Sequence, residues 1–169
     1  KAYCKSVESA SKKESYVLVE QLGKGGGQGS TALVKHKTSG KEYAAKLIAC
    51  HDLEEALSAN DEAKIMESMK GPQFVKFVES FFVPAALGTY SLYIIMEYCE
   101  NGDLGKYMKR QMKRPLNEAK IWKFFIEMCL GLRYLHSNKI LHRDIKTINM
   151  FLGKDDKIKI GNPLGTKAD

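Results

Sequence analysis

The chain has 169 residues, of which 44% are hydrophobic and 28% are charged, and its formal net charge is +7. This composition is that of a globular protein and excludes a largely disordered chain. No signal peptide opens the chain and no apolar run is long enough to span a bilayer, so we expect a protein of the cytoplasm or nucleus with no membrane partner.

The cysteine and charge patterns argue against a zinc-binding protein and against a nucleic-acid-binding protein. The four cysteines are widely spaced without a C-x-x-C pair, which argues against a zinc site and favours free thiols in a reducing compartment. A basic cluster is either a solvated helix face or a surface that attracts acidic partners. It lacks a nucleic-acid-binding motif, so we expect no nucleic-acid partner. Its residues are Lys106, Lys109, Arg110, Lys113 and Arg114.

The first part of the chain is predicted to be mainly strands. Residues 1–15 are polar and aperiodic and are interpreted as a flexible lead-in. Beyond them, β-prone runs are separated by turn residues, and residues 54–69 suit one helix that Gly71-Pro72 ends. Together these elements give an antiparallel sheet of about five strands with one helix. The predicted strands are 16–20, 31–34, 41–48, 74–82 and 90–96.

The second part, after a connector at residues 97–102, is predicted to be mainly helical. A short helix is expected at 103–112 and a long one at 118–136, with Asn117 as its N-cap. A small hairpin is expected from residues 150–160, because two apolar runs flank a Gly-Lys-Asp-Asp turn. Apolar residues at helical spacing on the long helix predict one buried stripe. They are Ile121, Phe125, Met128, Leu132 and Leu135.

A glycine-rich turn, Gly23-Lys24-Gly25-Gly26-Gly27-Gln28-Gly29, joins the first two predicted strands. Glycine lets the backbone approach phosphate oxygens, to which its N–H groups can donate. The turn also fits a plain hairpin loop. Its position between two strands disfavours dinucleotide-binding and Walker-type loops, which lead from a strand into a helix.

Lys46 lies in the middle of the third predicted strand, within Tyr43-Ala44-Ala45-Lys46. A buried lysine needs a counter-charge, and Glu62 on the following helix is the candidate. Paired with Glu62, Lys46 would be held toward the α- and β-phosphates of a nucleotide. The alternative is an edge lysine that points to solvent.

The loop at residues 141–149, Leu-His-Arg-Asp-Ile-Lys-Thr-Ile-Asn, combines a base, a cation and an amide. This combination fits phosphoryl transfer, in which Asp144 orients a hydroxyl, Lys146 neutralises phosphate charge and Asn149 holds a metal ion. The alternative is an ordinary charged loop, but the glycine-rich turn, Lys46 and Glu62 precede it in the expected order.

The glycine-rich turn, Lys46, Glu62, the segment 96–99 at the start of the connector and the loop 141–149 follow one another along the chain. In this order they resemble the eukaryotic protein kinases, and the resemblance covers residues 16–165. Lys146 after Asp144 is similar to the serine/threonine class, and segments 96–104 and 146–152 are most similar to the NIMA-related (Nek) kinases. The resemblance implies an α+β, bilobal fold. Residues 16–98 would form an N-lobe with a five-stranded antiparallel sheet and one helix, and residues 99–169 the hinge and the first part of a mainly helical C-lobe.

The resemblance also implies ATP and magnesium as cofactors and a protein as substrate or partner, with a cytoplasmic location and cytoskeletal or ciliary association as in the family. Asp144 is then the catalytic base or hydroxyl orienter, Lys146 stabilises the γ-phosphoryl group, Asn149 ligates magnesium, and Lys46 pairs with Glu62. The implied nucleotide-binding residues are Leu22, Gly23, Lys24, Gly25, Gly26, Gly27, Gln28, Gly29, Thr31, Ala44, Lys46, Met96, Glu97 and Cys99.

Two local departures from the family pattern bear on activity. The turn has one residue too many between Gly25 and Gly29, and Thr31 replaces the valine that covers adenine. More entropy is lost when a longer loop closes on phosphate, so nucleotide binding is expected to be weaker. In place of the D-F-G or D-L-G motif the chain has Asn162-Pro163-Leu164-Gly165, which supplies no carboxylate for magnesium.

A third departure is that the sequence stops at Asp169, before the activation segment and later helices of a kinase. We therefore expect either a piece of a longer chain or a truncated protein that needs a partner. Two functions follow from the resemblance. One is a serine/threonine protein kinase, and the other is a catalytically impaired pseudokinase that acts as a scaffold or allosteric partner.

Overall fold

The computed structural model describes residues 11–23, 29–111 and 116–161. They fall into two compact units. The first unit comprises Lys1–Lys64 and Phe77–Tyr98, and the second comprises Ile65–Lys76 and Cys99–Asp169. The second unit therefore includes a segment, residues 65–76, that precedes the last two strands of the first unit in sequence.

The first unit is built on a five-stranded antiparallel sheet in the order β1-β2-β3-β5-β4. The central strand β3 pairs on both sides, and its residues Ala44, Ala45 and Lys46 are all buried. The prediction of an α+β fold with a five-stranded antiparallel sheet and one helix is confirmed. The strands are β1 (Tyr16–Gly23), β2 (Ser30–His36), β3 (Glu42–Cys50), β4 (Phe77–Pro84) and β5 (Tyr90–Glu97).

The helix α1 (Leu53–Ser68) follows β3. Asp52 caps its N-terminus, since Asp52 Oδ1 accepts a hydrogen bond from the N–H of Glu55 at 2.8 Å. Ala56 and Ala63, seven residues apart, are buried on one face of the helix. This face fixes the rotation of α1 about its axis and therefore the direction in which its charged residues project.

Tyr16 and Glu79 join the two edge strands across one face of the sheet. Tyr16 Oη donates to Glu79 Oε1 at 2.7 Å, and Lys12 Nζ lies 3.1 Å from Glu79 Oε2. Burial, together with the hydrogen bond to Glu79, raises the pKa of Tyr16, so the phenol stays protonated and remains a donor. In a flat sheet the edges would be about 19 Å apart, given the spacing between strands. The contact therefore requires this face to be concave.

The predicted start of the fourth strand is wrong. β4 begins at Phe77, whereas residues 74–76 belong to the second unit. There Phe74 forms a bridge with Ile160, and the N–H of Val75 donates to Ile160 O at 3.0 Å. The apolar run that suggested one long strand is thus divided between two sets of partners.

In its described residues from Cys99 onward, the second unit has two helices and a hairpin. Asp103 and Asn117 cap the helices through hydrogen bonds of 2.8 Å from the N–H groups of Lys106 and Lys120, which confirms the predicted cap at Asn117. In the residues that the structure describes, no helix is long and apolar enough to cross a bilayer. The elements are α2 (Leu104–Arg110), α3 (Glu118–Ser137), β6 (Met150–Leu152) and β7 (Ile158–Ile160), and the last two form the predicted hairpin.

The predicted apolar stripe on α3 is wrong in its N-terminal half. Leu135 is completely buried, but Ile121 and Phe125 are each 52% exposed. The buried face of α3 is the one that carries Gly131, where the helix approaches β7 closely. A Cβ on Gly131 would lie 2.6 Å from Ile160 Cδ1. That contact turns the glycine face of α3 to the hairpin and leaves Ile121 and Phe125 outside it.

Gly29, just before β2, has a backbone that other residues would adopt with difficulty. Its φ is +91°, and a Cβ there would lie 2.1 Å from Leu47 O. Gly29→Ala is expected to lower the free energy of unfolding by more than about 2 kcal/mol, because positive-φ strain adds to an overlap with backbone. Urea unfolding measures this loss. The matched control Gly40→Ala (φ +66°, nearest atom Lys35 Cε at 3.8 Å) should lose about 1 kcal/mol, and equal losses would contradict the prediction.

Candidate functional site

Four of the residues expected to bind a nucleotide share one face of the sheet in the first unit. Thr31 lies opposite Lys46 across β2 and β3, and Ala44 lies opposite Met96 across β3 and β5. Directly opposed residues point to the same face, as do residues two apart on a strand. The strand register therefore brings together side chains that are up to 65 residues apart in sequence.

Lys46 and Glu62 form a buried ion pair on that face. Lys46 Nζ lies 2.7 Å from Glu62 Oε1 and 3.0 Å from Oε2, so the carboxylate is bound by both oxygens. The two side chains are 7% and 13% exposed. The alternative of a solvent-facing edge lysine is excluded, because β3 is the central strand and Lys46 is covered on it.

Four more of the predicted nucleotide residues lie at the ends of strands or next to them. Leu22 and Gly23 end β1, Gly29 precedes β2, and Glu97 ends β5. Cys99 is buried and belongs to the second unit. The middle of the glycine-rich turn lies outside the described residues, and it consists of Lys24, Gly25, Gly26, Gly27 and Gln28.

Two apolar residues on the same face were missed by the sequence reasoning. Leu33 lies opposite Ala44, and Ile94 lies opposite Lys46. Leu33 is 6% exposed and Ile94 is completely buried. The signal for both was the two-residue alternation along each strand, which places Leu33 with Thr31 and Ile94 with Met96.

In the second unit, the loop before β6 gathers Asp144, Lys146 and Asn149. Lys146 Nζ lies 2.8 Å from Asp144 Oδ1, and Asn149 Nδ2 donates to Asp144 Oδ2 at 2.7 Å. The same Nδ2 donates to the backbone oxygen of Asp144 at 2.8 Å. Both carboxylate oxygens of Asp144 thus have a fixed partner, although its side chain is still 16% exposed.

These partners set the charge of Asp144. The hydrogen bond from Lys146, and secondarily the one from Asn149, holds the pKa of Asp144 below its usual range. Asp144 is therefore a carboxylate at neutral pH. An ionised carboxylate with a lowered pKa is a weak base but a good hydrogen-bond acceptor, so this group suits the orientation of a hydroxyl better than the complete removal of its proton.

His142 and Gly161 fix the loop from behind. His142 Nε2 lies 3.0 Å from Gly161 O, and His142 Nδ1 lies 3.3 Å from the N–H of Asp144. These partners assign a neutral ring with its proton on Nε2. Burial lowers the pKa of His142, in agreement with a neutral ring. The N–H of Gly161 donates to Asn149 O at 3.0 Å, so both backbone groups of Gly161 are held by the loop.

The buried neutral His142 predicts a pH dependence of stability. Below pH about 6.5 the unfolded histidine binds a proton that the folded ring resists. The unfolded state then binds more protons, so the free energy of unfolding should fall as pH drops from 7 to 5, by up to about 1.4 kcal/mol per pH unit. Urea unfolding at several pH values measures this slope.

His142→Gln should flatten the slope in this pH range, whereas the matched control His136→Gln, at an exposed position at the end of α3, should retain it. An unchanged slope in His142→Gln would assign the pH dependence to other groups.

The described residues do not by themselves make a magnesium site. Magnesium prefers charged oxygen ligands in octahedral geometry. Within ranges 11–23, 29–111 and 116–161, no three His, Cys, Asp or Glu side chains are grouped as metal ligands. Asn149 can contribute its neutral oxygen Oδ1, but the adjacent carboxylate of Asp144 is bound to Lys146. Within the second unit, the partly exposed ammonium of Lys146 beside Asp144 suits a phosphate better than a tightly held divalent cation.

Comparison with known proteins tests the family resemblance that the sequence motifs indicate. The family model described as "Protein kinase domain" matches residues 16–162. The chain is 37% identical over 151 residues to Serine/threonine-protein kinase Nek1 of Mus musculus. It is 35% identical over 150 residues to Nek4 of the same species and 35% identical over 152 residues to Nek5 of Homo sapiens. Each alignment covers 88% of this chain.

The chain is much shorter than these relatives. It spans 12% of the length of Nek1, 18% of Nek4 and 21% of Nek5. The similarity therefore concerns one region of each relative.

Proposed function

Because this chain belongs to the protein kinase family, we propose that it binds ATP and transfers the γ-phosphate to serine or threonine hydroxyls of proteins. The serine/threonine class is supported by Lys146, two residues after Asp144, and by the Nek relatives, which are serine/threonine-protein kinases by name. A protein is the proposed substrate, and the cytoplasm is the proposed location. A cytoskeletal partner rests on the Nek resemblance alone.

The arrangement at Asp144 is the observation that carries this proposal. Its carboxylate is ionised and held by Lys146 and Asn149 at 2.8 and 2.7 Å. A fixed anionic acceptor can align a serine or threonine hydroxyl for attack on phosphorus, and most of the catalysis in phosphoryl transfer is positioning and charge stabilisation. Lys146 would carry the second task, since its ammonium can approach the phosphoryl oxygens while bound to Asp144.

The first unit supports the nucleotide part of the proposal. Glu62 holds the ammonium of Lys46 in place, and Thr31, Ala44 and Met96 are on the same sheet face. In protein kinases such a lysine binds the α- and β-phosphates and such a face holds the adenine. Magnesium, when bound, would neutralise phosphate charge, and Asn149 is the described residue that could contribute a ligand.

A second candidate is a catalytically impaired protein kinase that acts as a scaffold or allosteric partner. Asn162-Pro163 favours it, because an amide and a proline bring no negative charge to the position where kinases hold a metal ion through aspartate. Asn162 and Pro163 themselves lie outside the described residues.

Two measurements on the intact chain test both functions. We expect ATP to raise the melting temperature of the chain, and Lys46→Met to remove that shift while the variant stays folded by circular dichroism. Labelled ATP with a general protein substrate then reports transfer, which Asp144→Asn should abolish. Transfer supports the enzyme, whereas an ATP shift without transfer supports the impaired form. The absence of any ATP shift would refute nucleotide binding and with it the enzyme.

A further inference from the structure

The concave face of the sheet, opposite the Lys46 face, has a notch at its centre. Ala32 on β2 and Ala45 on β3 are directly opposed there. Their side chains are the smallest that still have a Cβ, so larger neighbours enclose space above them. Val34 and Ile95, adjacent to the two alanines in the register, form two of its walls.

This notch is a pocket of about 310 Å³. Its volume is at the lower end of the range of small-molecule sites, roughly 300–1,000 Å³. The interior is mostly aliphatic and aromatic, and the polar residues among its lining are few. The residues that line it are Lys13, Tyr16, Leu18, Gln21, Ser30, Ala32, Val34, Ala45, Leu47, Phe81, Tyr93 and Ile95.

Ring stacking and the hydrogen bond between Tyr16 and Glu79 keep the pocket in shape. Tyr16 stacks on Phe81 with ring centroids 6.4 Å apart, and Phe81 stacks on Tyr93 at 5.3 Å. The bond from Tyr16 to Glu79 holds the sheet edges together above this row of rings. Leu18, at the pocket wall, is 64% exposed, which is a large apolar exposure for a strand residue. A bound apolar group would cover it.

Lys13 gives the pocket a cationic rim. Its Nζ lies over the Tyr93 ring, 5.6 Å from the centroid. Among the described residues, every ion pair of the first unit involves another lysine: Lys12 with Glu79, Lys46 with Glu62, and Lys64 with Asp61. Lys13 thus combines a positive charge with an apolar cavity beside it, a pattern that is complementary to an anion with an apolar body.

We propose that the concave face of the first unit binds a small amphipathic carboxylate, with its aliphatic or aromatic body above Ala32 and Ala45 and its carboxylate at Lys13. The site is distinct from the nucleotide face and does not depend on the proposed function. Its floor is formed by the backs of β2 and β3, whose other face carries Thr31 and Lys46.

Sodium decanoate is the probe, titrated into the intact chain and followed by isothermal titration calorimetry and ¹H–¹⁵N chemical shifts. We expect saturable one-to-one binding with a Kd on the order of 0.1 mM, as suits a ligand of about a dozen heavy atoms. Lys13→Met should weaken the binding of decanoate at least about fivefold and leave the binding of neutral decanol unchanged. The reason is that only the carboxylate contacts the ammonium group of Lys13. The matched control is Lys41→Met, since Lys41 Nζ lies 5.5 Å from the Tyr43 centroid but outside the pocket.

A second pair of variants tests the apolar wall. Leu18→Glu should abolish decanoate binding, whereas Val17→Glu, at a 47% exposed neighbouring position outside the pocket, should leave it unchanged. Both positions are exposed, so both variants should fold, as circular dichroism checks. No saturable binding up to about 5 mM would overturn the proposal, because weaker association is not a specific site. Equal effects of Lys13→Met and Lys41→Met would overturn the assigned position of the carboxylate and with it the proposed ligand class.

Discussion

Asn162→Asp combined with deletion of Pro163 is expected to raise phosphoryl transfer by the chain about 100-fold or more. The change converts Gly161-Asn162-Pro163-Leu164-Gly165 to the Gly-Asp-Leu-Gly pattern of the family. The new carboxylate would supply the charged oxygen that the described residues lack for magnesium. Removing one well-placed electrostatic group from an active site typically costs about 10²–10³ in rate, and restoring one should recover a similar factor. Transfer from labelled ATP to a protein substrate measures the gain.

The same variant should show a magnesium-dependent increase in thermal stabilisation by ATP, which the unmodified chain should lack. A tenfold gain in affinity corresponds to about 1.4 kcal/mol of added stability at saturating ATP. Asn162→Asp with Pro163 retained is the matched control, and Asp144→Asn in the restored chain should again abolish transfer. If the unmodified chain already turns over at the roughly 1–100 s⁻¹ of ordinary kinases, the expected impairment is refuted.

The sheet could be predicted from sequence because its signals are local. The run Glu42–Cys50 is mostly apolar and follows a Ser-Gly turn, and the glycine-rich turn that ends at Gly29 separates the first two strands. The start of β4 could not be predicted in the same way. Phe74 and Val75 are as apolar as Phe77, and what separates them is pairing with Ile160, a contact about 85 residues away in sequence.

The ion pair was predictable for a physical reason rather than a pattern. A lysine between Ala45 and Leu47 must be neutralised if it is buried, and Glu62 is an acidic residue at the right distance along the next helix. Periodicity alone could not predict the exposed half of α3, because it reports that a face is apolar but not what covers it. Nor could it predict the Tyr16–Glu79 contact, which joins residues 63 apart and depends on the curl of the whole sheet.

The ion pair between Lys46 and Glu62 contributes both to the stability of the fold and to the proposed nucleotide site. Two charges with side chains 7% and 13% exposed have lost most of their hydration, and their hydrogen bonds of 2.7 and 3.0 Å compensate for that loss. Removal of one partner leaves the other charge buried and unpaired. Replacement of both by apolar residues leaves an apolar contact of similar volume.

Glu62→Leu is therefore expected to lower the free energy of unfolding by about 3 kcal/mol, a large part of the stability of a typical domain. Lys46→Met with Glu62→Leu should recover most of this loss, to within about 1 kcal/mol of the unmodified chain. Urea unfolding of both variants and of Lys46→Met alone completes the double-mutant cycle, whose coupling energy isolates the pair. Both Glu62→Leu and the double variant should fail to be stabilised by ATP.

The exposed pair of Lys64 and Asp61 on the same helix provides the matched control. Its side chains are 65% and 66% exposed at a distance of 2.8 Å, so water screens the interaction. Lys64→Met should change the free energy of unfolding by less than about 0.5 kcal/mol and leave the ATP shift intact. If the double variant is as unstable as Glu62→Leu, the loss comes from packing around Glu62, not from the unpaired charge. If the double variant is stable and still binds ATP, Lys46 has no role in nucleotide binding.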